Sequence, residues 1–114
     1  MAPKNLTDKL VFKIKADFLR SLAHPVRLEI IEFLRGGESP VNRMVQALGV
    51  EQSGLSKHLA ILRQSGIVTS RQEKVTVYYS IRDREIFQVL RPMARMLRKR
   101  LEVSRAVLDR LSQG

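Results

Sequence analysis

The chain has 114 residues, enough for one small domain over residues 1–114, and 21 Lys and Arg against 11 Asp and Glu give it a net charge of +10 at pH 7. It has no cysteine, which excludes disulfides, cysteine nucleophiles and thiolate-bound zinc, and its two histidines cannot form a three-histidine metal site. Charged residues interrupt every apolar stretch, so we expect a cytoplasmic protein with no membrane partner, and the excess positive charge favours nucleic acid as the partner.

Two helices are predicted in the N-terminal third. Apolar residues recur at helical spacing over residues 6–22, at Leu10, Val11, Ile14, Phe18 and Leu22. Pro25 suits the first turn of a second helix that ends at Arg35, before Gly36 and Gly37. The second helix is apolar on most of its circumference, which is typical of a core helix.

Two shorter helices follow in close succession. Ser39 and Pro40 are predicted as the N-cap and first residue of a third helix, which Gly49 ends. A fourth helix is predicted from about Gln52 to Ser65. Its apolar stripe is Leu55, Leu59 and Leu62, and its other side carries Gln52, Ser53, Ser56, Lys57, Arg63 and Gln64. This helix has one side suited to the core and one suited to a polar partner.

The period then changes to that of strands. Residues 67–72 and 76–81, joined by a turn at Glu73 and Lys74, are rich in β-branched and aromatic residues and predict a hairpin. From about Arg84 a helical pattern runs through residues 84–112, with apolar residues in alternating three- and four-residue steps. Pro92 predicts a kink or a new helix start near Arg91.

This order of elements predicts a mainly α-helical winged helix-turn-helix fold, with the helix-turn-helix at residues 39–65 and the β-hairpin wing at 67–81. An α-helix fits the DNA major groove, where each base pair presents a distinct pattern of donors and acceptors. The fourth helix has the outward polar side chains and the leucine stripe that such a role requires. The sequence therefore predicts a protein that binds double-stranded DNA.

Several segments resemble the ArsR/SmtB family of bacterial winged-helix repressors, over roughly residues 15–100. They are Leu22-Ala23-His24-Pro25-Val26-Arg27-Leu28, Leu48-Gly49-Val50, Gln52-Ser53, Ser56-Lys57-His58-Leu59, Leu62, Gly66 and Val77-Tyr78-Tyr79. The resemblance implies an αααα-ββ-α homodimer that represses transcription from a palindromic operator until an effector releases it. It assigns the dimer interface to the helices at 6–22 and 84–112, with the apolar positions Leu10, Ile14, Phe18, Leu90, Leu97 and Leu101.

The resemblance also places DNA contacts on the fourth helix, at Gln52, Ser53, Ser56, Lys57 and His58. The amide of Gln52 suits a bidentate contact to adenine, worth roughly 1–3 kcal/mol of discrimination. Phosphate contacts are expected from Ser39 and Arg43 on the third helix and from Arg71 and Lys74 in the wing.

The sequence departs from the family pattern at several positions. Glu51 replaces the usual N-cap serine, Gly54 replaces a better helix former, and the wing turn, Glu73 to Thr76, lacks the usual glycine and paired arginines. Neither the cysteines nor the Asp–His–His–Glu set used for metal sensing in the family is present. We therefore expect no bound metal or cofactor and no thiol or histidine metal switch.

Two features have competing interpretations. His24 is expected to cap or pack at a helix start rather than to bind a ligand. Arg84, Arg91, Arg98 and Arg105 repeat every seven residues, which on a continuous helix forms a stripe. The favoured interpretation is a solvated flank, and the alternative is a surface that binds an anionic small-molecule effector.

Two other classes of function remain alternatives to a sequence-specific repressor. A sequence-neutral architectural or RNA-binding protein also explains the charge, although the outward Gln and Ser side chains disfavour it. A protein-interaction module predicts both weak dimerisation and weak DNA affinity. The sequence contains no paired-carboxylate, triad or phosphate-loop motif, so we do not expect an enzyme.

Overall fold

The computed structural model describes residues 5–101 and 104–113, as helices with one small antiparallel sheet. The elements in chain order are α1 (Leu6–Leu22), α2 (Pro25–Leu34), β1 (Ser39–Pro40), α3 (Val41–Leu48), α4 (Gln52–Gln64), β2 (Val68–Glu73), β3 (Thr76–Ile81), α5 (Ile86–Arg100) and α6 (Arg105–Gln113). They form two compact units that divide between Arg82 and Asp83. The single domain over residues 1–114 stays a prediction.

The first two helices have the predicted bounds to within one residue. The side chain of Asn5 caps α1, accepting a hydrogen bond from the Asp8 backbone N–H at 2.9 Å. His24 caps α2 in the same way, its Nδ1 accepting from the Val26 N–H at 3.1 Å, and Pro25 occupies the first turn. The capping role expected for His24 is confirmed. The core helix is also confirmed, since Ile30, Ile31 and Leu34 of α2 are buried.

The predicted start of the third helix is wrong. Ser39 and Pro40 form β1, which pairs antiparallel with Tyr79 and Tyr78 of β3. Pro40 has extended backbone angles and occupies the N-cap position of α3, which begins at Val41. The pairing with β3 therefore overrides a local pattern typical of a helix start. A proline is tolerated there because β1 lies at the edge of the sheet.

Helix α4 is held in the first unit by its leucine stripe. Leu55, Leu59 and Leu62 are fully buried, and α4 packs against α1, α2, α3 and β2. Gly49 ends α3 in the left-handed conformation, with φ of 66°, so the chain turns directly into α4. The predicted helix and its apolar side are confirmed.

The predicted hairpin is confirmed with its turn shifted by one residue. Strands β2 and β3 pair from Val68 with Ile81 to Glu73 with Thr76, leaving Lys74 and Val75 as a two-residue turn. Lys74 has φ of 56° and is the non-glycine residue with positive φ in the described part of the chain. The sheet has the order β1-β3-β2, so β3 lies in its centre.

In the second unit the helical pattern predicted over residues 84–112 forms two helices, and they divide after Arg100 instead of near Arg91. Helix α5 starts at Ile86, runs through Pro92 without a new start, and ends at Arg100, since Leu101 has extended backbone angles. Helix α6 starts at Arg105, after Ser104, whose Oγ accepts from the Val107 N–H at 3.4 Å. Residues 102 and 103, which the prediction included, lie outside the described residues. The periodic apolar residues thus continue across two helices.

The break also overturns the predicted arginine stripe. Arg84 precedes α5 and Arg105 begins α6, so only Arg91 and Arg98 of the four share one helix. Arg98 forms an ion pair with Asp109 of α6, with Nη2 and Oδ1 3.5 Å apart. An anion-binding surface made from four arginines on one helix is therefore not formed.

Candidate nucleic-acid interface

The N-terminal half of α4 presents a polar surface, as predicted. Gln52, Ser53, Ser56 and Lys57 are exposed, while Leu55 on the opposite side is fully buried. Residues at these spacings lie on one side of a helix, one turn apart. The structure therefore brings together four of the side chains predicted to contact DNA, on a helix whose buried leucines fix its rotation.

The two unusual residues at the start of α4 have simple consequences. Glu51 occupies the N-cap position, and among the described contacts its side chain does not bond to the helix end, while its backbone carbonyl accepts from the Leu55 N–H at 2.9 Å. A Cβ added to Gly54 meets a methyl group of Val50 at 3.8 Å, an ordinary van der Waals contact. Packing within the chain therefore does not require glycine at position 54.

His58 differs from its neighbours on α4 because its side chain contacts residues at the start of α2. Its ring is half-buried, and its Nδ1 accepts a hydrogen bond from Nε of Arg27 at 3.2 Å. Its ring centroid lies 4.2 Å from that of His24. These contacts join His58 to Arg27 of α2 and to the N-cap of α2, whereas the expected contact of His58 was with DNA.

The surroundings of His58 favour its neutral form. Burial lowers the pKa of its imidazole, and the neighbouring His24 and Arg27 lower that pKa further. The histidine is therefore uncharged at neutral pH. A neutral ring is also what the hydrogen bond from Arg27 requires, because Nδ1 accepts it.

Arg71 of the wing is held by acidic residues. Its guanidinium binds Glu38 through two hydrogen bonds, of which Nε to Oε2 is 2.9 Å, and binds Glu73 at 3.0 Å. It also lies 4.5 Å from the ring centroid of Tyr78. Its hydrogen bonds to Glu38 and Glu73 raise the pKa of Arg71, and the Arg71 guanidinium lowers that of Glu38. These carboxylates engage the guanidinium in this conformation, and the phosphate contact expected of Arg71 stays a prediction.

The other predicted phosphate contacts divide into buried and exposed residues. Ser39 is 2% exposed, and its hydroxyl donates to the Pro40 carbonyl at 3.0 Å, so its side chain is not accessible for the expected phosphate contact in this conformation. Arg43 of α3 and Lys74 of the wing turn are exposed. These two cations accompany the polar surface of α4 as candidates for phosphate contact.

A shallow cavity shows that the wing turn lies beside the start of α4. Its volume is about 260 Å³, and its lining residues are Pro40, Val41, Asn42, Gln52, Val75, Thr76 and Val77. Gln52 and the wing turn therefore border the same depression. The arrangement provides a helix with an exposed polar side and an adjacent hairpin, as a winged helix-turn-helix reader of duplex DNA requires.

Within residues 5–101 and 104–113, no three His, Asp or Glu side chains are grouped to hold a metal ion. No helix in the same part of the chain is long and apolar enough to cross a membrane.

Known proteins resemble the chain in sequence. A model of the family described as "Bacterial regulatory protein, arsR family" matches residues 24–70. The HTH-type transcriptional regulator Rv0081 of Mycobacterium tuberculosis is 34% identical over 105 residues, which cover 91% of this chain and 92% of that protein. The biofilm growth-associated repressor of Xylella fastidiosa is 36% identical over 75 residues, or 66% of each chain.

Solved structures agree with these matches. The crystal structure of Rv0081 has a TM-score of 0.69 and 33% identity, covering 89% of this chain and 96% of that one. The homodimeric winged helix-turn-helix DNA-binding domain of Mb0332 from Mycobacterium bovis has a TM-score of 0.75 and 25% identity, covering 90% and 94%. The chain therefore belongs to the ArsR family, as a DNA-binding transcriptional regulator with a winged helix-turn-helix fold.

Proposed function

We propose that the chain is a homodimeric repressor that binds a palindromic operator, with one α4 helix in the major groove of each half-site. The observation that carries this proposal is the exposed polar half of α4, fixed by buried leucines and bordered by the wing turn. Two helices related by a two-fold axis enter successive major grooves when they lie roughly 34–36 Å apart. A palindrome matches that symmetry.

The exposed apolar residues of α1 support a dimer. Leu10 is 55% exposed and Ile14 is 59% exposed, and each is one helical turn from the next apolar position. Phe18 continues this row and is half-buried. Exposed apolar rows of this kind mark association surfaces. In the second unit, Leu97 and Leu101 are exposed and Leu90 is half-buried, so these three positions assigned to the interface also carry accessible apolar area.

Repression is proposed from the names of relatives. The Xylella protein is called a repressor, and the Mycobacterium bovis domain is homodimeric. In this proposal the protein represses transcription by occupying its operator. The chain has no cysteine, so thiol chemistry cannot supply a switch that releases the operator. Nδ1 of each histidine already accepts a hydrogen bond within the protein, so neither Nδ1 atom is free to bind a ligand.

Unbiased selection from a random DNA library tests this proposal. We expect enrichment of an imperfect palindrome, bound with nanomolar affinity on the order of 10⁻⁸–10⁻⁹ M at physiological salt. Placing that palindrome upstream of a reporter gene should lower reporter expression when the protein is present. Binding without sequence preference indicates the architectural alternative, and weak binding by a weak dimer indicates the protein-interaction alternative.

Gln52→Ala and Lys74→Ala separate base contact from phosphate contact. Gln52→Ala is expected to reduce discrimination at one base pair of each half-site by about 1–3 kcal/mol. Lys74→Ala is expected to weaken all sequences alike and to reduce the salt slope by about 1. Binding titrations against single-base operator variants at several salt concentrations measure both effects. Equal loss for every sequence with Gln52→Ala would contradict its assignment to a base.

Glu38→Gln is expected to strengthen DNA binding without regard to sequence. The substitution replaces the carboxylate that accepts two hydrogen bonds from Arg71 with a neutral amide, while Glu73 remains, so the guanidinium is held less strongly and is more available to a phosphate. One additional phosphate contact steepens the salt dependence by about 0.9 in log–log slope. Glu32→Gln is the matched control, since it makes the same charge change beside another arginine partner, Arg35. The same gain in both variants would show a general charge effect instead.

A further inference from the structure

A junction of three side chains, His24, Arg27 and His58, connects α4 to α1 and α2. The Nε of Arg27 donates to Nδ1 of His58 at 3.2 Å. The Nη1 of Arg27 donates to the backbone carbonyls of Arg20 and Ser21, both at 3.1 Å. Since those carbonyls belong to the last turn of α1, one guanidinium links the end of α1 to α4.

The hydrogen bonds fix where the protons of the two histidines lie. Nδ1 of His58 accepts from Arg27, and Nδ1 of His24 accepts from the Val26 backbone N–H at 3.1 Å. A ring nitrogen that accepts a hydrogen bond carries no proton, so Nδ1 is the acceptor nitrogen of each ring, and the His58 ring is neutral with its proton on Nε2. Protonating His58 places a second donor opposite the Arg27 donor and removes their hydrogen bond.

The charged groups around His58 do not compensate for an added proton. His24 and Arg27 face it from α2, and the α1 carbonyls are engaged by Arg27. On α1, Asp17 pairs with Lys13 and Arg20. The other charged side chains of α2, α3 and β2 are exposed or paired elsewhere: Glu29, Glu32, Arg35, Arg43, Arg71 and Glu73. Protonated His58 therefore adjoins the Arg27 cation directly.

We propose that Arg27 and neutral His58 are positioning residues that hold the DNA-contacting half of α4 in register with α1, and that protonating His58 releases this hold and weakens operator binding. The inference rests on the proposed function, in which α4 contacts bases. His58 directly follows Lys57 and lies two residues after Ser56, so its release acts on the polar surface itself. The expected effect of protonation on operator affinity is opposite to that of an exposed histidine, whose added positive charge strengthens DNA binding.

Operator affinity as a function of pH tests the junction. The full chain is titrated with its selected palindrome by fluorescence anisotropy at constant ionic strength, and circular dichroism checks folding at each pH. We expect wild-type affinity to fall about tenfold from about pH 7.5 to about pH 5, with the fall centred below the ordinary pKa of histidine because the surroundings of His58 lower its pKa. Affinity that is unchanged or tighter at the lower pH would overturn the proposal.

Three variants identify the group responsible. His58→Gln keeps an acceptor for Arg27 and cannot be protonated, so its affinity should not change over this range. His24→Asn retains a helix cap and leaves His58 able to titrate, so the loss of affinity at low pH should remain, with its midpoint moved to higher pH because His24 lowers the pKa of His58. Arg27→Lys, which keeps the charge but loses the forked donor, should bind weakly at all pH values. A pH profile abolished in His24→Asn but kept in His58→Gln would contradict the assignment.

A measurement without DNA keeps this inference separate from the proposed function. Amide signals of Ser56 and Lys57 should shift in NMR spectra with the titration of the His58 ring, and not in His58→Gln. If these signals titrate but no DNA sequence is preferred, the junction stands and the proposed operator binding fails. If the His58 ring titrates without any shift at α4 or Arg27, the junction fails.

Discussion

We expect Ile14→Asp to convert the proposed homodimer to monomers and to lower operator affinity by about 10²–10⁴-fold, the gain that linking two binding modules provides. Ile14 is 59% exposed on α1 within a row of apolar residues. An aspartate there would bury an unpaired carboxylate on each side of the two-fold axis, which strongly opposes association. Sedimentation equilibrium measures the oligomeric state, and anisotropy measures the affinity.

The control for this prediction is Ile14→Leu, which keeps an apolar side chain of the same volume. It should sediment as a dimer and bind the operator as the wild type does. Circular dichroism should show unchanged helix content in both variants, because the side chain at position 14 is mostly outside the core of its unit. A dimer that survives Ile14→Asp would place the interface away from this row.

The second large effect is expected in the core beneath the DNA-contacting surface. Leu59 is 0% exposed and lies between Leu55 and Leu62 in the stripe that anchors α4. Leu59→Ala removes buried methyl groups and leaves a cavity, so we expect the free energy of unfolding to fall by about 2–5 kcal/mol. Urea denaturation measures this as a lower midpoint with an unchanged slope.

Lys57→Ala is the matched control on the same helix. Its side chain is exposed, so unfolding should change by no more than about 0.5 kcal/mol. Its DNA affinity should fall through loss of a positive charge. The pair thus separates stability from binding. Equal destabilisation by the two substitutions would mean that α4 is not anchored by its leucine stripe.

Local chemistry was sufficient to predict most of the first unit. Pro25 at a first turn, Gly49 in a left-handed cap and the spacing of Leu55, Leu59 and Leu62 each act within a few residues, and the helices they specify are present. The polar surface of α4 follows from the same spacing. These features were visible because the residues that determine them are neighbours in the chain.

The features that the sequence did not predict depend on distant partners. Ser39 and Pro40 pair with β3, and Arg71 binds Glu38, which lies 33 residues earlier in the chain. No local pattern indicates such pairings. The spacing of the leucines after the wing continues across the break between α5 and α6, because such spacing does not show whether a helix is continuous. Ser104 was a local signal for a new helix start.

Cleavage of the operator by a reagent attached to α4 tests most directly that this helix lies in the major groove of each half-site. The chain has no cysteine, so Ser56→Cys provides one thiol per protomer for an iron chelate that generates hydroxyl radicals, and wild-type protein given the same treatment is the control. We expect two groups of cleaved nucleotides, symmetric about the operator centre and about 10 base pairs apart. Cleavage that is diffuse, or confined to sites outside the palindrome, would contradict the account.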